Sequence, residues 1–126
     1  MLHKSGVELA IITGRTSRLM EHRARNLSIA HVIQGAEDKL EAYERLLPKL
    51  GFAPEQVAVM GDDVVDLPMM RRSQLSITVP PAPDIMRRYA HYITQRQPGR
   101  GAAREVCELI MRAQGTLDAQ LAPYLK

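Results

Sequence analysis

The stretch VAVMGDDVVDLP, residues 57–68, decides how the rest of this chain is read. Four apolar residues run into Gly61, and three carboxylates, Asp62, Asp63 and Asp66, follow within five positions. A short apolar run closed by a turn residue predicts a buried strand. Pro68 suits the first turn of a following helix, where its missing N–H would be unbonded anyway. Like charges this close repel, so something must offset them. One acid alone reads as a helix cap. Three together, at the end of an apolar strand, favour a hard cation.

Working outward, residues 7–12 read as another apolar strand, ending at Thr13-Gly14-Arg15. A polar helix is expected from about Ser17 to Leu27, then a short apolar piece, Ala30 to Ile33, closed by Gly35. Leu40, Tyr43, Leu47 and Leu50 recur at helical spacing, with Asp38 placed as an N-cap and Gly51 as the terminator. Beyond the acidic stretch, Leu75 to Val79 is a strand, and Pro80, Pro81 and Pro83 break the chain before a short helix. Tyr92 to Thr94 is a last edge strand, and Ala102 to Gln114 is a closing helix with Val106, Leu109, Ile110 and Ala113 on its apolar face. Strands alternating with helices predict an α/β fold, a parallel sheet flanked by helices. With 126 residues and no linker or repeat, one domain spanning 1–126 is expected.

Composition narrows the function classes. Apolar residues make up 45% and charged residues 25%, the balance of a soluble globular protein. The net charge is only +3 and aromatics are few, so neither nucleic acid nor membrane is expected as a partner. The apolar runs are too short to cross a bilayer, and the first residues show no signal-peptide cleavage pattern. The single cysteine, Cys107, excludes an internal disulfide framework and fits a reducing cytoplasm. It reads as a small core residue. His3, His22, His31 and His91 lack metal spacing and read as structural or surface residues. Met60, Met69, Met70 and Met111 read as core or interface packing.

In an open α/β sheet, ligands bind beyond the carboxyl ends of the strands. Thr13-Gly14-Arg15 stands at one such end: a hydroxyl, a glycine that lets backbone approach a ligand, and a guanidinium matched to phosphate. The second end carries Asp62, Asp63 and Asp66. Mg²⁺ takes oxygen ligands and keeps several waters and a substrate phosphate, so one or two of these acids suffice. Lys39 lies between the two motifs; a lysine there is ordinarily a solvated side chain, and the residues alone do not single it out. Gly99-Arg100-Gly101, before the last helix, reads equally as an anion site or a plain loop.

Taken in order, Thr13 after an apolar strand, then Lys39, then Gly61-Asp62-x-x-x-Asp66 resemble the second, third and fourth motifs of the haloacid dehalogenase superfamily. The segments AIITGR, QGAEDKLEAYERLL, VAVMGDDVVDLPMM and GRGAAREVCELIMRAQGTLD resemble its 3-deoxy-D-manno-octulosonate 8-phosphate phosphatase branch. The resemblance implies a Rossmann-like fold without a cap domain, and a Mg²⁺-dependent hydrolase that forms an aspartyl-phosphate. Its substrate would be a phosphorylated acidic sugar, its pathway cytoplasmic lipopolysaccharide precursor synthesis, and its assembly a homotetramer. By motif, Thr13 would bond the phosphoryl oxygens, and Lys39 would neutralise phosphate and nucleophile. Arg15 and Arg23, two turns apart on one helix face, would contact the acidic sugar. Asp62 would ligate the metal, with Asp63 and Asp66 supporting it.

The family's first motif, Asp-x-Asp, does not occur before Thr13, where Glu8 is the only acid. On the resemblance the fold is therefore expected to be incomplete at its N-terminus, and the chain alone to have negligible phosphatase activity. Two other readings remain: a non-catalytic remnant that oligomerises or binds sugar phosphate, and a C-terminal piece of an acidic-sugar nucleotidyltransferase.

Overall fold

A computed structural model describes the chain except for residues 1, 3, 5, 27, 28, 99 and 126. His3, Leu27 and Gly99 therefore lie outside the described residues. Among the described residues five strands alternate with helices, and a sixth helix follows the fifth directly: β1 (Ala10–Ile12), α1 (Arg18–Asn26), β2 (His31–Ile33), α2 (Lys39–Leu50), β3 (Ala58–Met60), α3 (Leu67–Arg72), β4 (Leu75–Thr78), α4 (Asp84–Tyr89), β5 (Tyr92–Ile93), α5 (Ala102–Gln114) and α6 (Leu117–Leu121). Every strand pairing is parallel, as the alternation predicts. No inserted unit interrupts the alternation among the described residues.

The sheet is divided. β1 pairs with β2, and β3-β4-β5 form a separate three-stranded sheet. Ile11 lies opposite Val32 in the first, and Val59 opposite Ser76 in the second. The strand expected over residues 7–12 is shorter, because pairing starts only where Ala10 meets His31. Val7 and Leu9 instead pack against Leu2, Met111 and Leu117 beside α5 and α6. The helix α6 was not foreseen from the sequence; Gly115, at φ 74°, ends α5 and turns the chain into it.

Local chemistry sets the helix ends. Asp38 accepts a hydrogen bond from the Glu41 N–H at 3.2 Å and caps α2. Gly51 closes it in the left-handed region at φ 78°. Helix α2 then lays Tyr43 and Leu47 onto Met69 of α3, with Ile12 of β1 and Val59 of β3 against the same cluster. Both sheets thus rest on one helix. A second cluster, Met70, Val79, Ala82, Met86 and Ala102, also takes Val59. Met69, Met70 and Met111 are buried as expected, but Met60 is 40% exposed, since it lies on β3 at the margin of its sheet. Cys107 is half-buried in the α5–α6 cluster, and that desolvation pushes its thiol pKa up.

Candidate active site

Two strand ends carry the polar residues singled out by sequence. At the end of β1, the Thr13 N–H donates to Ile33 O at 2.9 Å, and its carbonyl accepts from Ala36 N–H at 3.0 Å. The Gly35 N–H donates to Arg15 O at 3.1 Å. The loops after β1 and β2 are therefore laced together by backbone bonds. The Thr13 hydroxyl oxygen accepts from Arg15 N–H at 3.2 Å, which leaves its own proton available to a ligand.

An open cleft lies here, lined by Thr13, Arg15, Ser17, Leu19, Met20, Arg23 and Gln34. Thr13, Arg15 and Arg23, three of the residues picked from sequence, share it. The reason differs from the expectation. Helix α1 begins at Arg18, so Arg15 lies in the loop before it and cannot share a helix face with Arg23. Arg15, from the loop, and Arg23, from α1, nevertheless line the same cleft. Among the described residues no carboxylate lines it. Beside Leu19 and Met20, the lining residues include two arginines, two hydroxyls and one amide, whose donors can serve an oxygen-rich anion.

Ser17 and Gln34 were missed in the sequence. Ser17 precedes α1 and accepts from Met20 N–H at 3.4 Å, as an N-cap does. Gln34 directly follows β2 and accepts from Ser17 N–H at 2.6 Å. Its position at a strand's carboxyl end, just before Gly35, was the available signal.

At the end of β3 the three acids divide their roles. Asp66 is only 5% exposed. Its Oδ1 pairs with Lys39 Nζ at 2.7 Å, and its Oδ2 accepts from the N–H groups of Asp62 and Asp63 at 3.1 and 3.3 Å. Asp63 caps the 3-10 turn Val64–Asp66, accepting from Val64 N–H at 2.7 Å. The carboxylate of Asp62 is exposed and takes no hydrogen bond or ion pair among the described residues. Gly61 is required by packing: a Cβ there would lie 2.5 Å from the Asp66 Cβ. From the far side, the buried Thr78 hydroxyl donates to Gly61 O at 2.8 Å.

Lys39 joins the two halves. Ala36 is bonded to Thr13, and Lys39 lies three residues further on, a span of at most about 11 Å along the chain. The first turn of α2 therefore connects the donor-lined cleft to the acidic turn. Among the described residues no group of three or more His, Cys, Asp or Glu side chains forms a closed metal cage. Among the described residues the Asp62 carboxylate is exposed and unbonded, and Asp63 keeps one oxygen free. That fits Mg²⁺, which binds through one or two carboxylates while keeping its waters, better than a metal that needs an all-protein ligand set.

The remaining candidates lie apart from these strand ends. His91 accepts through Nδ1 from Ser76 N–H at 2.9 Å and is structural. His31 lies 3.4 Å from Glu8. Arg100 lies just ahead of Gly101, the residue that precedes α5 at φ 103°.

Polar residues gathered at the carboxyl ends of parallel strands, with helices between the strands, define an α/β protein with its candidate site at those strand ends. Comparison with known proteins makes this specific. The pattern of the haloacid dehalogenase-like hydrolases matches residues 28–106, more than half of the chain, and the chain belongs to that family. It is 49% identical over 114 residues to the 3-deoxy-D-manno-octulosonate 8-phosphate phosphatase of Yersinia pestis, covering 90% of this chain and 61% of that protein. A crystal structure of a probable phosphatase from Pseudomonas syringae superposes with a TM-score of 0.96 at 50% identity, over 99% of this chain and 71% of that one. The 3-deoxy-D-manno-octulosonate 8-phosphate phosphatase of Moraxella catarrhalis, in complex with magnesium, phosphate and the octulosonate, gives a TM-score of 0.94 at 46% identity, over 98% and 71%. The chain thus spans about three-fifths of the length of the curated relatives it matches.

Proposed function

We propose that this chain supplies the phosphate- and metal-binding part of a Mg²⁺-dependent phosphomonoesterase acting on 3-deoxy-D-manno-octulosonate 8-phosphate or a related acidic sugar phosphate. The observation that carries the reading is the cleft that brings Thr13, Arg15 and Arg23 together without any carboxylate among the described residues. Such a lining selects a ligand with several anionic oxygens, and a sugar acid phosphate has them at both ends.

In this reading Thr13 donates its hydroxyl proton to a phosphoryl oxygen, and Arg15 and Arg23 pair with the sugar carboxylate. Lys39 holds positive charge between phosphate and acidic turn while remaining paired with Asp66. Asp62 ligates Mg²⁺. Asp66 and Asp63 support it by fixing the backbone of the turn rather than by reaching the metal. The ion supplies Lewis-acid stabilisation of the phosphoryl charge when bound. The covalent step needs a nucleophilic carboxylate, and no Asp-x-Asp occurs among residues 1–12. The 126-residue chain alone is accordingly inactive while still binding ligand. The domain works without a cap, in the cytoplasm, on the route to lipopolysaccharide precursors, and as a homo-oligomer of tetramer size.

Titration of the chain with 3-deoxy-D-manno-octulosonate 8-phosphate and Mg²⁺ by calorimetry tests this. Saturable binding that Arg15→Ala or Arg23→Ala weakens, with no phosphate released, is the expected result. Steady phosphate release abolished by Asp62→Ala would refute the inactivity. Absence of binding would overturn this reading and favour a remnant that only oligomerises.

A further inference from the structure

We infer that Gln34 is a specificity-determining residue: its side-chain amide donates to the sugar portion of the ligand while its oxygen pins the loop that presents Arg15 and Arg23. The inference rests on the proposed function of the cleft. The Ser17 N–H can only donate, so the atom 2.6 Å from it must be the carbonyl oxygen of Gln34. The amide orientation follows from that bond. Gln34 lines the cleft, and its NH₂ end has two donors with no partner among the described residues.

The same bond does a second job. Ser17 precedes α1, and its hydroxyl accepts from Met20 N–H. Holding Ser17 therefore fixes both the loop carrying Arg15 and the first turn of the helix carrying Arg23. β2 holds Gln34 in place from behind, because Ile33 is in register with Ile12. A donor carried by strand-anchored backbone, in the cleft that Arg15 and Arg23 also line, suits a hydroxyl or carboxylate oxygen of a polyhydroxy acid. Inorganic phosphate needs only Thr13 and the neighbouring cations.

The test uses the full chain. In ¹H–¹⁵N spectra, adding 3-deoxy-D-manno-octulosonate is expected to shift the Gln34 side-chain amide pair, and adding inorganic phosphate is not. Gln34→Glu keeps an acceptor for Ser17 N–H but removes the donor and places charge among the guanidiniums. It is expected to bind the sugar acid at least tenfold more weakly with an unchanged melting temperature. If the sugar acid shifts Arg15 and Arg23 but not the Gln34 amide, and Gln34→Glu binds equally well, the role assigned to Gln34 is wrong while the proposed function stands. If the wild-type chain binds neither the sugar acid nor its phosphate, the proposed function fails and this inference with it. Should Gln34→Glu not fold, the wild-type amide shift alone decides.

Discussion

Asp62 and Asp66 are four residues apart and chemically identical, yet the fold gives them opposite tasks. Asp66 is buried and fully engaged, by Lys39 and by two backbone N–H groups. Taking away one partner of such a pair leaves an uncompensated charge, at a cost of about 3–5 kcal/mol. Lys39→Met should fall at the low end of that range, because the Lys39 side chain keeps 20% of its exposure. Urea denaturation measures it. Asp62→Asn should change stability by no more than about 0.5 kcal/mol, since the side chain is exposed and unbonded. It should nevertheless abolish Mg²⁺ binding, followed by calorimetry. A large stability loss in Asp62→Asn would mean that its carboxylate is structural after all. Gly61→Ala would drive its methyl into Asp66, 2.5 Å from Cβ to Cβ. A cost of about 1–3 kcal/mol follows, with a weakened Lys39–Asp66 pair. The acidic cluster was legible in the sequence as a cluster. The division of labour within it was not, because it depends on a lysine 27 residues away that arrives only when α2 docks.

At the scale of elements, the helices whose ends carry a chemical signal were read well. Asp38 and Gly51 bound α2, and Asp38→Ala should cost about 1 kcal/mol, read from thermal melts. Helix α1 was read less well. Its start, expected at about Ser17, falls within one residue of Arg18, but counting Arg15 on the same helix face as Arg23 overlooked that Arg15 precedes that start and lies on a loop. Ser17 marks the start locally as an N-cap, but the bond from its N–H to Gln34, which holds the loop of Arg15 in place, comes from beyond a neighbouring strand 17 residues away. The junction of β5 with α5 shows a similar long-range tie. Glu105 accepts from the Tyr92 hydroxyl at 2.6 Å and from the N–H groups of Gln95 and Arg96 at 3.0 and 2.9 Å. The Tyr92 bond first, then the backbone donors, hold the Glu105 pKa below the usual carboxylate range. The same bond raises the pKa of Tyr92. A depressed carboxylate contributes stability above its unfolded pKa and loses it as pH falls through the folded value. A raised phenol contributes below its unfolded pKa and loses it as pH rises through the folded one. The tie is thus complete between the ordinary ranges of glutamate and tyrosine. Glu105→Gln should flatten the acid side of the stability–pH curve; an unchanged curve would assign the acid loss to other carboxylates.

For the whole molecule, the parallel α/β plan was legible from alternation alone, whereas the division into two sheets was not. Periodicity reports which residues are apolar and says nothing about which strand edges meet. Among the described residues β1 pairs only with β2, and β3 pairs only with β4, so each keeps one unpaired edge. The exposure fits. Ala10 of β1 and Ala58 and Met60 of β3 are exposed, whereas Ser76, Ile77 and Thr78 of β4, the strand paired on both sides, are buried. Unpaired N–H and C=O groups beside exposed apolar side chains are a template for further chain association. The 126-residue chain should therefore self-associate with rising concentration in analytical ultracentrifugation. A lysine at such an edge opposes pairing through its charge and hydration. Met60→Lys should shift the distribution toward monomer without lowering the melting temperature, because Met60 is already 40% exposed and is not a core residue. If the wild-type chain stays monomeric at every concentration, the free edges are tolerated by solvation alone, and oligomerisation must draw on another surface.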